Sequence, residues 1–396
     1  MTEIRVTCIL ASWRSILVVV SVVKILLMIG GPVYGDLFNW TRGAEIILES
    51  RQVAGLLPVF LQTGLAYMPI AFILTPFFWL WTVLPVDHPT IAVLRNSNHL
   101  TPGAMSLILL MKLSPFLADV GVGFLLLKLV SRVTGSSQKG KVALLLWYVN
   151  PYNVFWIEVF GSMDVIPTLV LVLAVFLGMS RKWFKSGFSL ATATILRIFP
   201  LFTFPFLILA VKGKTRHAYI PLVSGFLLPL IGALTIIYTT GAGTISSILD
   251  NLLYEPWLLD FLGFKLTNQY VRLVPVLLAV QFYVIFCCWK NRGILQLTIV
   301  SLLSILGGYV YRGINNHFLW VVPFLTVSVT MNHDELSLFV VTLIAASLYP
   351  FIFPFPALPL WSDLIHFFDP FYAGFFYAAT AAYLLRINFK NIRLNH

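Results

Sequence analysis

An all-α polytopic membrane protein is the fold class this sequence predicts, and three observations carry it. Over 396 residues, 59% are hydrophobic and only 10% charged, and mean hydropathy is +0.91, whereas soluble chains carry about 25% charged residues. Apolar runs of bilayer-spanning length recur from end to end. Between them, Lys and Arg collect in one alternating set of loops, while Asp and Glu collect in the other.

A helix crosses the hydrocarbon layer with about 20 apolar residues. On that rule spans fall near residues 15–32, 104–130, 142–157, 163–180, 186–199, 201–211, 218–238, 270–289, 294–311, 317–331, 335–353 and 370–386. That makes about 12 transmembrane helices in one transmembrane domain over 1–396, with both termini on one side. The first run is read as an uncleaved anchor, since no small-residue cleavage site follows it. The runs at 186–199 and 201–211 are too short to cross alone. Pro200 divides them, which predicts a broken helix pair turning inside the membrane.

Residues 33–103 form the longest loop. Its apolar stretch from Val53 to Pro85 is interrupted by Pro58, Pro69, Pro76 and Pro85, and reads as interfacial helices dipping into the outer leaflet. The charges support this choice. Lys139, Lys141, Arg181, Lys182, Lys185, Lys212, Lys214, Lys290 and Arg292 then stay on the inner side, opposite Asp36, Asp87, Glu158, Asp164, Asp250 and Asp363. One further crossing in 33–103 would reverse every later loop.

The net charge of +11 does not mark a nucleic-acid binder, because the basic residues lie in short clusters beside apolar spans. Gly121-Val-Gly123 and Gly241-Ala-Gly243 lack the strand and polar loop of a nucleotide site and read as helix-packing glycines. Cys8 and the adjacent Cys287 and Cys288 have neither metal-ligand nor disulfide spacing. Asp363, His366 and Asp369 do not form a convincing metal set.

The candidate chemical residues are the ionisable groups at or within the membrane, where charge is costly and marks function by default. Asp36 follows the first span. Asp119 stands in the middle of an apolar span, and Asp164 opens another, where a carboxylate can also serve as helix N-cap. Arg197 sits at the break of the short pair, and its planar fork suits phosphate oxygens; a structural pairing with Asp119 or Asp164 is the competing reading. Arg312 begins the polar cluster that includes Asn315, Asn316 and His317, suited to a sugar hydroxyl or pyrophosphate, or to a solvated turn.

These segments together resemble the polytopic C-type (GT-C) glycosyltransferases that use a polyprenyl-phosphate sugar, the GPI mannosyltransferase I catalytic subunits among them. Over roughly residues 15–212, Asp36 stands at the second position of the family's Asp-x-Asp motif, with Tyr34 at the first. The stretch from Tyr67 to Pro76 resembles its Tyr-Thr-Pro segment, and Asp119, Asn150-Pro151, Asp164 and Arg197-Ile-Phe-Pro200 follow in the family's order.

The resemblance implies a mannosyltransferase acting at the external or lumenal face, with Asp36 and Asp164 catalytic and Asp119, Arg197, Tyr67, Arg312, Asn316 and His317 binding substrate. It implies a polyprenyl-phosphate mannose (dolichyl phosphate mannose) donor, a lipid-linked or glycan acceptor, surrounding membrane lipids and a small accessory membrane subunit. The location would be a prokaryotic, archaeal plasma membrane with an outward site, or the endoplasmic reticulum of a eukaryote. Tyr34 in place of the first Asp leaves no two-carboxylate metal site there, so no metal is required, although a divalent ion is compatible with the remaining carboxylates. A lipid or solute transporter and a non-catalytic scaffold of the same fold are the alternatives.

Overall fold

The computed structural model describes residues 13–30, 35–50, 68–91, 101–197, 199–211, 216–239 and 319–331. Helix dominates them, and no strand occurs among them. The elements are α1 (Trp13–Gly30), α2 (Gly35–Ser50), α3 (Met68–Thr82), α4 (Pro102–Thr134), α5 (Ser137–Tyr148), α6 (Val165–Met179), α7 (Trp183–Leu196), α8 (Phe204–Val211), α9 (Arg216–Thr239) and α10 (Val322–Met331). A single turn at Pro151–Asn153, a π-helix at Val154–Val159 and a 3-10 turn at Phe199–Thr203 complete the set.

Two helices among the described residues are long and apolar enough to cross a membrane, Pro102–Thr134 and Ala218–Thr235. The exposed faces have the character lipid requires. On α1, Val18, Val19, Val22, Val23 and Leu26 share one outward face, whereas Lys24 and Met28 are wholly buried. A similar apolar face of α9 presents Ile220, Leu227, Leu228, Ile231 and Leu234. The spans expected at 270–289, 294–311, 335–353 and 370–386 lie outside the described residues.

Local signals explain several boundaries. Thr101 caps α4 by accepting from the Ala104 N–H (3.2 Å), Pro102 occupies the first turn, and Gly135 ends the helix in the left-handed region. At 33 residues α4 is about 50 Å long, more than the hydrocarbon layer needs. Gly187 and Gly225 let α7 and α9 meet at backbone distance: a Cβ at Gly187 would stand 2.1 Å from the Leu222 carbonyl oxygen, and one at Gly225 2.2 Å from that of Phe184. Gly123 faces Trp147 and Gly121 faces Leu169, in keeping with a packing role.

The expected span at 142–157 is not one helix. It stops at Tyr148 and restarts, because Asn150 accepts from the Tyr152 N–H (3.0 Å) and Pro151 lacks the N–H that would continue the ladder. Among the described residues of the dipping stretch, Met68–Thr82 form α3, which runs through Pro76. It packs against α2 and α4.

Candidate functional site

The break foreseen at Pro200 is present and begins three residues earlier. α7 ends at Leu196, and Arg197 is extended (φ −157°, ψ 137°), its N–H still bonded to the Ala193 carbonyl (2.9 Å). The extended backbone carries the guanidinium out of the helix to the start of α6, where Nε stands 3.2 Å from Asp164 Oδ1. The guanidinium carbon also lies 5.9 Å from the centroid of the Trp40 ring in α2.

Trp40 brings the helix of Asp36 to this pair. Asp36 lies in the first turn of α2, one turn before Trp40, so by helical register the two positions share a face. On the far side of the break, Phe199 stacks on Trp320 (centroids 3.7 Å apart, planes 6° apart), just before α10.

How Asp164 reaches this place follows from the preceding turn. Asn153 donates to the Trp147 carbonyl near the end of α5 (2.9 Å), and the chain then winds as a π-helix that turns Glu158 inward. Gly161 follows with φ 73°, a left-handed conformation that favours glycine. A Cβ there would lie 2.8 Å from Leu37 Cδ2 and 3.2 Å from Lys112 Cγ, so the turn is wedged between α2 and α4.

One expectation for Asp164 needs correction. It occupies the N-cap position of α6 but makes no side-chain capping bond; its carboxylate goes to Arg197, while its carbonyl accepts from the Thr168 N–H and hydroxyl. Its side chain is also fully enclosed, against 17% exposure for Arg197. A ligand can therefore meet the arginine directly and Asp164 only through it.

Asp119 also differs from expectation. Rather than pairing with Arg197 or lining a substrate surface, it is wholly buried, with Oδ2 2.6 Å from Lys24 Nζ. Lys24 also donates to Glu158 Oε1 (3.1 Å) and lies 4.0 Å from the centroid of the Tyr148 ring, whose hydroxyl meets Ser21 Oγ at 2.8 Å. Burial demands such pairing, since unpaired charge in a low-dielectric interior costs several kcal/mol or more. Glu158 is the residue that sequence reasoning missed as an interior group. A signal existed for Lys24 and Asp119, opposite charges near the middle of two apolar spans; Glu158 is brought in by the π-helix, which has no comparable signature.

Lys112 is buried too. Its ammonium donates to the carbonyls of Met28 (3.1 Å) and Val159 (2.5 Å), in the last turn of α1 and at the end of the π-helix, where helix carbonyls lack in-helix partners.

Tyr67, Arg312, Asn316 and His317 lie outside the described residues, as do Cys8, Cys287, Cys288, Asp363, His366 and Asp369. Among the described residues, no three of His, Cys, Asp and Glu converge as a metal site. Comparison with known proteins finds no family model, no curated protein and no solved structure that matches this chain.

Proposed function

We propose that this chain is a membrane-embedded, inverting glycosyltransferase that takes a sugar, mannose by resemblance, from a polyprenyl phosphate and passes it to a lipid-linked or glycan acceptor. In this reading the full chain crosses the bilayer about twelve times, with its site on the face opposite the basic loops. That face is the outside of a prokaryotic cell or the lumen of the endoplasmic reticulum.

The observation that carries the reading is the part-exposed Arg197 at a helix break, held by the enclosed Asp164 and flanked by Trp40 from the helix of Asp36. A guanidinium has five N–H donors, so a contact at Nε is compatible with phosphate recognition by the same side chain. The aromatic and apolar surroundings strengthen that electrostatic attraction. Asp36 acts as general base on the acceptor hydroxyl, whose oxygen attacks the anomeric carbon as the bond to phosphate breaks. The departing lipid phosphate carries away the electron pair and is stabilised by Arg197. Asp164 keeps the guanidinium in place, and the single displacement inverts the anomeric centre.

The test is incubation of purified protein with labelled polyprenyl-phosphate mannose and a crude lipid acceptor extract. Labelled product that disappears in Asp36→Asn, with donor binding retained, supports the reading. Donor movement across vesicles without product would indicate a transporter, and neither result a scaffold.

A further inference from the structure

We propose that Lys112 is a positioning residue that fixes the turn bearing Asp36 against the turn bearing Asp164, as the outer member of a two-level clamp. At the inner level, Lys24 of α1 reaches Asp119 of α4 and Glu158 of the π-helix. At the outer level the roles are exchanged: Lys112 of α4 reaches the Met28 carbonyl of α1 and the Val159 carbonyl of the π-helix. The same three elements are thus joined twice, at points seven residues apart on α4, about 10 Å at the helical rise.

The outer level touches both chain segments that lead to the candidate site. Met28 lies just upstream of Asp36, and Val159 just upstream of Asp164. The stem of Lys112 also packs where a Cβ of Gly161 would stand, and Leu37, the residue after Asp36, meets it at the same point. An ammonium suits two carbonyls at helix C-termini, where the backbone dipoles leave partial negative charge. Methionine fills a similar volume but offers them no donor, which takes the ammonium away from one buried and one part-buried acceptor.

The experiment compares wild type, Lys112→Met and Lys112→Arg by amide hydrogen exchange in a lipid nanodisc. In Lys112→Met, exchange should rise about tenfold or more in residues 29–36 and 159–164 together, the effect expected on losing ~1.4 kcal/mol of local protection. Lys112→Arg should restore much of the protection in both. The kinetic arm, which alone rests on the transferase reading, expects kcat to fall with little change in donor KM. A folded Lys112→Met protein with raised exchange in only one segment, or in neither, would overturn the proposal. If that variant does not fold, Lys112→Gln keeps amide donors and should loosen both segments to a smaller extent; unchanged exchange there overturns the proposal equally. A wild-type protein without transferase activity would remove the reading of the site but leave the exchange result to decide the clamp.

Discussion

Arg197 and Asp164 stand 3.2 Å apart where two helices are interrupted, by an extended residue at the end of α7 and by a left-handed glycine before the start of α6. Because Asp164 is enclosed, the pair ties the helix break to the start of α6. Asp164→Asn should therefore destabilise the protein by about 3 kcal/mol, since one member of a largely buried pair is left uncompensated. In a double-mutant cycle, Arg197→Gln added to Asp164→Asn should recover part of that loss, with a coupling of about 1–3 kcal/mol in reversible unfolding in detergent. Strict additivity would mean that the two side chains do not interact energetically.

Lys24 faces two carboxylates with all three side chains buried. Replacing it with Met leaves Asp119 and Glu158 without their shared ammonium. A loss of about 3–5 kcal/mol, or failure to accumulate as folded protein, is expected. The triple variant Lys24→Met, Asp119→Asn, Glu158→Gln should be milder than the single one. Equal thermal midpoints for Lys24→Met and wild type would show that the cluster contributes nothing to stability.

Gly161 and Gly135 make a matched comparison. Both have left-handed backbones, with φ of 73° and 68°, but a Cβ at Gly135 meets open space, whereas one at Gly161 meets Leu37 and Lys112. Gly135→Ala should cost about 1 kcal/mol through backbone strain alone, and Gly161→Ala distinctly more. Thermal unfolding of the two variants side by side gives the order.

Asp87, in the exposed segment between α3 and α4, supplies a pH dependence. The Thr101 hydroxyl, then the Gly103 N–H at 2.9 Å, holds its carboxyl below the usual carboxylate value of 3.8. A depressed folded-state pKa contributes stability that is present above the unfolded value and lost as pH falls through the folded one. The loss should begin near pH 4 and continue below it. The midpoint of unfolding followed from pH 6 down to pH 3 should fall less steeply in Asp87→Asn than in wild type; parallel curves would dismiss the contribution of Asp87.

Sequence reading reached the parts of this structure that local chemistry dictates. Pro200 marked the helix break, whereas the single span expected over 142–157 left out the stop at Tyr148 that Asn150 and Pro151 impose. It did not reach the pairings of the buried Lys24 cluster. Nothing local joins Lys24 to Glu158 across more than a hundred residues, and the inward turn of Glu158 depends on a π-helical register with no sequence signature. Asp164 lies between these cases: its position at a helix start suggested a cap that it does not make, while its pairing with Arg197 is one of the two structural pairings the sequence offered for that arginine.

Donor affinity in Arg197 variants decides whether this arginine holds the lipid phosphate. Binding of a labelled polyprenyl phosphate sugar to purified wild type, Arg197→Lys and Arg197→Ala should show a loss of about 10–100-fold in the alanine variant, the worth of a charge-assisted contact of about 1.5–3 kcal/mol. Lysine should lie between the two, since it restores charge without the fork. A folded Arg197→Ala protein that binds the donor as tightly as wild type would contradict the assignment of this arginine to the lipid phosphate, and with it the proposed site.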